Sequence, residues 1–185
     1  YSLMVKVSLL KEFLFDKKVG SVFPSSMKVV DYICNLINFN KKLIIVEYGP
    51  GTGVFTKEIL KNMNPKSKLI VVETNLKFVN LLKNIDDKRL VVINDGACNI
   101  KEILKKLKIK DVDYFISGVP FYMIKDIEKD KIIKDTYKLL DKNGIFIVYQ
   151  FRKLVLKNLK EYFSNIKYHR KLFNIPSLII FECRK

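Results

Sequence analysis

A glycine-rich turn, Gly49-Pro50-Gly51-Thr52-Gly53, and two carboxylates, Glu73 and Asp95, stand where this chain could do chemistry. The turn follows an apolar run, Leu43 to Tyr48, and opens a helical pattern from Thr52 to Asn62. Glycines at such a junction let the backbone turn sharply and approach a ligand closely. Glu73 ends the next apolar run, Leu69 to Glu73, and Asp95 follows a third, Leu90 to Asn94. A carboxylate at the end of a second strand can accept from both hydroxyls of a ribose. One after the third strand can accept from the amino group of adenine. Ligands of open α/β sheets bind outside the carboxyl ends of the strands, so these three consecutive strand ends predict an adenosine site. The glycine order is G-x-G-x-G with Val54 next, whereas a dinucleotide fold wants G-x-G-x-x-G.

The elements that must position these groups alternate strand and helix, which predicts a parallel sheet covered on both faces. Leu3 to Lys17 reads as a helix with Leu3, Val7, Leu10 and Leu14 on one face. A loop over Val19 to Ser26 leads to a helix from Met27 to Asn38, with Ser25 or Ser26 as its cap. After the first three strands come helices around Leu76 to Ile85 and Ile100 to Leu107, then a fourth strand, Val112 to Ser117. A long helix, Lys125 to Leu140, stops at Lys142-Asn143-Gly144. Ile145 to Gln150 is the fifth strand and Leu154 to Phe163 a helix. Tyr168 to Phe173 and Ser177 to Cys183 form a final pair too close together for a parallel crossover, so they are antiparallel. The expected fold is one Rossmann-like α/β domain over residues 1–185. Its sheet is seven-stranded and mostly parallel with one antiparallel strand near its edge, and helices lie on both faces.

A length of 185 residues, 49% of them hydrophobic, suffices for one core without disulfides or metals. Cys34, Cys98 and Cys183 are odd in number and widely spaced, so buried free thiols are expected and no metal site. No apolar run approaches the ~20 residues that span a bilayer, and no signal peptide is visible. The net charge of +16 favours an anionic partner, either nucleic acid or an acidic membrane surface. Arginine, the residue best suited to phosphate, occurs only as Arg89, Arg152, Arg170 and Arg184.

The glycine motif and its two carboxylates resemble those of class I S-adenosylmethionine-dependent methyltransferases, and the resemblance runs over most of the chain. It implies that Gly49, Gly51 and Gly53 line the methionine portion of S-adenosylmethionine and that Glu47 holds its ammonium through water. Glu73 would hold the ribose, and Asp95 with Gly96 and Ala97 the adenine. Thr52, Thr74 and Ser117 complete the implied cofactor-binding set.

The acceptor side is expected where the fourth strand ends, at Ser117-Gly118-Val119-Pro120-Phe121-Tyr122. Ribosomal RNA adenine dimethyltransferases carry Asn-Leu-Pro-Tyr there, and the Asn side chain helps to hold the target amine. Aligned on Pro120, that Asn falls on Gly118, and the chain ends with its last predicted strand where those enzymes usually add a helical domain. Bacterial phospholipid N-methyltransferases, which act at the membrane surface, are resembled more widely. The segments are Gly20-Ser21-Val22-Phe23-Pro24-Ser25-Ser26, the first motif through Thr56, Ser117-Gly118-Val119-Pro120, Tyr149-Gln150-Phe151 and Asn174-Ile175-Pro176. This resemblance implies methylation of a phosphatidylethanolamine-type amine by a cytoplasmic enzyme peripheral on the inner membrane face. A nucleic-acid amine is the alternative.

Ser117, Gly118, Pro120, Phe121, Tyr122 and Tyr149 are the candidate catalytic residues. The aromatic ones could wall a pocket that stabilises a growing ammonium, or serve as core. His169 sits on a late strand far from this motif and reads as a partly exposed structural residue. The N-terminal helix, with Lys6, Lys11, Lys17 and Lys18 about its apolar stripe, suits either a lipid surface or the domain's own sheet.

Overall fold

The β-branched apolar runs become strands, and the central ones are buried along nearly their whole length, as a sheet covered on both faces demands. A computed structural model describes residues 22–171 and 178–185; the expected helix over Leu3 to Lys17 and the Asn174-Ile175-Pro176 segment lie outside the described residues. The strands are β1 (Ile44–Tyr48), β2 (Lys68–Glu73), β3 (Leu90–Asn94), β4 (Val112–Ser117), β5 (Leu140–Gln150), β6 (Asn165–Lys171) and β7 (Leu178–Arg184). The helices are α1 (Val22–Cys34), α2 (Val54–Asn62), α3 (Leu76–Lys83), α4 (Ile100–Lys106), α5 (Asp126–Leu139) and α6 (Leu156–Lys160).

The seven strands form one sheet in the order β3-β2-β1-β4-β5-β7-β6. All neighbours are parallel except β7, which runs against both β5 and β6. This is the predicted sheet with its one reversed strand beside an edge. The chain steps from β1 outward to β3 and then returns to the other side of β1 as β4, which puts the topological switch point between β1 and β4. Tyr48 pairs with Ser117 there, so Gly49 and Gly118 leave the sheet side by side.

Strand alternation sends side chains to two cores. Ile45, Leu69, Val71 and Ile116 pack against Val30 and Ile33 of α1, Ile59 of α2 and Leu82 of α3. Val46, Ile70, Phe115 and Phe146 pack against Leu104 of α4, Ile133 of α5 and Leu159 of α6. Glu47 falls on the first of these faces, under α2.

Several element ends differ from expectation. Helix α1 starts at Val22, so Ser25 and Ser26 lie within it rather than at its cap. Pro24 is accommodated because first-turn N–H groups have no helical partner to lose. Helix α5 passes straight into β5 at Leu140 with no intervening loop. The Lys142-Asn143-Gly144 segment forms an irregularity inside β5, where pairing jumps from Val112–Leu140 to Tyr114–Ile145. The Asp141 carboxylate shapes it by accepting from the Asn143 N–H at 3.0 Å. Strand β6 begins at Asn165, earlier than expected, because its ladder with β7 extends to Asn165–Arg184.

Among the described residues, no helix is long and apolar enough to cross a membrane. All three cysteines are free, with Cys34 and Cys183 buried.

Candidate active site

The turn after β1 adopts left-handed backbone at three glycines, with φ of 65° at Gly49, 57° at Gly51 and 80° at Gly53. Other residue types are strained there. The last two glycines differ in their surroundings. A Cβ on Gly53 would stand 2.9 Å from Leu82 Cδ2 on α3, whereas one on Gly51 would meet nothing within 4 Å among the described residues. Gly53 therefore serves packing, and Gly51 leaves the rim open.

Glu73 reaches from the end of β2 to this turn. Its Oε2 accepts from the Gly51 N–H at 3.1 Å, and its Oε1 accepts from the Asn75 N–H at 2.8 Å and the Thr74 hydroxyl at 3.5 Å. The Asn94 amide donates to the Glu73 carbonyl at 2.9 Å and ties the end of β3 to the end of β2. One residue on, Asp95 Oδ1 accepts from the Gly96 N–H and the Asn99 amide, both at 2.7 Å. Asp95, Gly96 and Ala97 thus enter one half-buried turn on the same rim as Glu73. Thr52 and Thr74 are exposed along it.

Glu47 is fully buried beneath the turn. Its Oε2 accepts from the Thr56 hydroxyl of α2 at 2.7 Å, while its Oε1 has no partner among the described residues. Burial pushes its carboxyl up to about 7; the Thr56 bond opposes this and the Glu73 charge adds to it. A buried acceptor without a donor is costly, and a ligand ammonium or a water beneath it would satisfy it. The sequence reading carried Thr56 only as the end of the first motif and gave it no role. Its signal was a hydroxyl on the buried stripe of α2 beside Ile59 and Leu60.

The acceptor segment leaves β4 next door. Gly118 N–H donates to the Tyr48 carbonyl at 3.3 Å, and the Val119 N–H donates to the buried Ser117 hydroxyl at 3.3 Å, folding the segment back. Val119 Cγ2 comes within 3.2 Å of where a Cβ on Gly49 would be, so this segment touches the glycine turn. Pro120 precedes a short 3-10 turn, Phe121–Met123.

The expected aromatic wall divides. Phe121 is fully buried and belongs to the core with Phe115 and Ile132, so its ring packs rather than lines the rim. Tyr122 is exposed, with the Arg152 guanidinium 5.0 Å from its ring centre. Tyr149, near the end of β5, lies against Gly118: a Cβ there would be 2.6 Å from Tyr149 Cζ and closer still to its hydroxyl oxygen. The Tyr149 ring stacks on Phe55 at 4.7 Å, a contact with no signal in the sequence. Burial, with the Glu47 charge adding to it, pushes the Tyr149 phenol far above its usual range and keeps it protonated. His169 is remote on β6, where its ring meets Tyr32 of α1 edge-on at 5.7 Å.

The donor set fits S-adenosylmethionine. The orphaned Glu47 oxygen suits a cation, Gly51 faces open space, and two carboxylates stand at the next strand ends. Sheet order and rim together are those of a class I S-adenosylmethionine-dependent methyltransferase. The chain belongs to the ribosomal RNA adenine dimethylase family, whose model matches residues 12–150.

Among relatives, a ribosomal RNA small subunit methyltransferase A of Mycoplasma capricolum is 28% identical over 114 residues, 60% of this chain and 41% of that protein. The match thus spans about two fifths of that relative's length. An ornithine lipid N-methyltransferase of Singulisphaera acidiphila is 24% identical over 178 residues, 94% of this chain and 92% of that protein. Among solved structures, the N-methyltransferase NodS of Bradyrhizobium japonicum WM9 in complex with S-adenosyl-L-homocysteine superposes with a TM-score of 0.72. It is 12% identical, and the superposition covers 88% of each chain, which is a likeness of fold.

Proposed function

We propose that this chain transfers a methyl group from S-adenosylmethionine to the amine of a phospholipid headgroup of the phosphatidylethanolamine type. It would act peripherally at the inner face of a membrane. The observation that carries this reading is the position of Tyr149 over Gly118. The space an amine-holding Asn would need is filled by a phenol from β5. The lipid-methylating relative, which aligns over 94% of this chain, supports the same acceptor class. The net charge of +16 suits an anionic surface.

In this reading Gly49, Gly51, Thr52, Gly53 and Ser117 surround the methionine portion of the cofactor, and Glu47 holds its ammonium through water. Glu73 with Thr74 holds the ribose, and Asp95, Gly96 and Ala97 hold the adenine. When bound, S-adenosylmethionine supplies a methyl group already activated on a sulfonium, so the protein's task is alignment. The acceptor amine enters neutral, its proton lost to water. The Tyr149 oxygen accepts from an amine N–H and points the lone pair inward, while the Gly118 to Pro120 backbone bounds the other side. The Tyr149 ring stabilises the positive charge that grows on nitrogen, while the Tyr122 ring holds Arg152 beside the segment. Phe121 buttresses this segment from the core.

A second reading is a nucleic-acid amine, favoured by the family model and by the ribosomal RNA relatives. Labelled S-adenosylmethionine offered with phosphatidylethanolamine vesicles and, separately, with unmodified ribosomal RNA divides them. Label in the lipid fraction is expected; label only in RNA sinks the lipid reading.

A further inference from the structure

At the carboxyl ends of β5 and β6 the surface opens into a cavity of about 580 Å3. Arg152, Lys153, Lys157 and Arg170 line it, together with Phe151 and Leu154, and none of the described residues lining it is acidic. Its floor is Ile179 of β7, which the ladders place between Gln150 of β5 and Arg170 of β6. We infer that this cavity is a phosphate site that seats the headgroup phosphate of the acceptor lipid beside the Gly118 segment. The inference rests on the lipid reading above.

The distribution of arginine points this way. Arg89 is tied to Asp87 at 2.6 Å and donates to the carbonyls of Met63 and Leu60 at 2.6 and 2.7 Å, which makes it a structural clamp. Arg184 is paired with Glu182. The other two of the chain's four, Arg152 and Arg170, both line this cavity, and no carboxylate among the described residues forms an ion pair with either. Four cations gathered in one cavity repel one another; the Asp126 carboxylate, which feels the Lys157 charge, is already paired with Lys129. A phosphate relieves that repulsion, and the guanidinium fork matches its oxygens.

The cavity is also in the right place. Strand β5 lies beside β4, from which the Gly118 segment departs, and Arg152 lies over the Tyr122 ring of that segment. A phosphate held there stands beside the Tyr122 end of that segment.

The rim favours a lipid over RNA. Leu154 is 62% exposed, an aliphatic group that cannot stack on a base. Two of the exposed rings nearby already carry cations of the protein: Arg152 on Tyr122 at 5.0 Å and Lys153 on Tyr168 at 4.3 Å. RNA recognition would want those faces free for stacking. Apolar groups among cations suit the headgroup layer of a bilayer.

The test is the full chain carrying Lys157→Glu and Arg170→Glu, with Lys157→Gln and Arg170→Gln as a milder pair. Each is assayed on neutral vesicles of phosphatidylethanolamine and phosphatidylcholine, and again with anionic phosphatidylglycerol added. The expected result on neutral vesicles is a rise of about twentyfold in KM for lipid, with kcat and S-adenosylmethionine affinity unchanged. Unchanged cofactor affinity also shows that the variants fold. An unaltered KM on neutral vesicles, or an effect confined to anionic ones, overturns the phosphate site while wild-type lipid methylation stands. A wild type that labels RNA and no lipid overturns both.

Discussion

The phenol of Tyr149 covers Gly118 so closely that a Cβ on the glycine would lie 2.6 Å from the ring carbon bearing the hydroxyl. Gly118 is not among the glycines with positive φ, so its identity answers to space and not to backbone conformation. Gly118→Ala should therefore act through Tyr149. The ring is held against Phe55 and cannot simply slide away. The expected loss is about 1–3 kcal/mol from overpacking, read as a lower denaturation midpoint. In a Tyr149→Leu background the same change should cost much less. Strict additivity of the two would show that Tyr149 does not cover the glycine.

Tyr149→Phe keeps the stack on Phe55 and removes only the hydroxyl. If that oxygen orients the acceptor amine, kcat should fall on the order of 100-fold, with S-adenosylmethionine affinity unchanged. Steady-state kinetics with each substrate varied in turn separates the two parameters. An unchanged kcat would leave the hydroxyl without a role.

Glu47 should make both stability and cofactor affinity depend on pH, in opposite directions. Its carboxyl is held at about 7 when folded, against an ordinary 4.5. The folded protein thus keeps a proton that the unfolded chain releases between those values. Stability from this group is full below about 4.5 and is lost as pH rises through about 7, on the order of 3 kcal/mol. Glu47→Gln should flatten that slope in calorimetric scans. A ligand ammonium favours the carboxylate, so affinity for S-adenosylmethionine should climb between pH 6 and 8, roughly astride the folded value. Affinity flat across this range would remove Glu47 from the cofactor site.

Gly51→Ala and Gly53→Ala should separate binding from folding. Both residues have left-handed backbone, which costs a side chain about 1–2 kcal/mol. At Gly53 the new methyl also presses on Leu82, so this variant should show the larger drop in melting temperature. At Gly51 the methyl meets none of the described residues, and the larger effect should be on cofactor affinity, read by isothermal titration. The reverse ranking would mean that the cofactor does not approach Gly51.

Taken alone, the amino-acid sequence determined the seven strands, their order of chemistry-bearing ends and the reversal of β7. Those features follow from local patterns: apolar runs, glycines at a strand-to-helix turn, and a connection too short for a crossover. Local patterns misplaced the start of α1 and the starts of β5 and β6; for the two strands, an irregular stretch inside β5 and a full ladder to β7 are settled by partners elsewhere in the chain. Only the tertiary structure decided that Thr56 satisfies one Glu47 oxygen and leaves the other bare. It also decided that Phe121 turns into the core while Tyr149 fills the place over Gly118, and that Arg152 and Arg170 share one cavity. Each of these joins side chains from different strands or helices. Their meeting depends on sheet order and packing, which no spacing along the chain encodes.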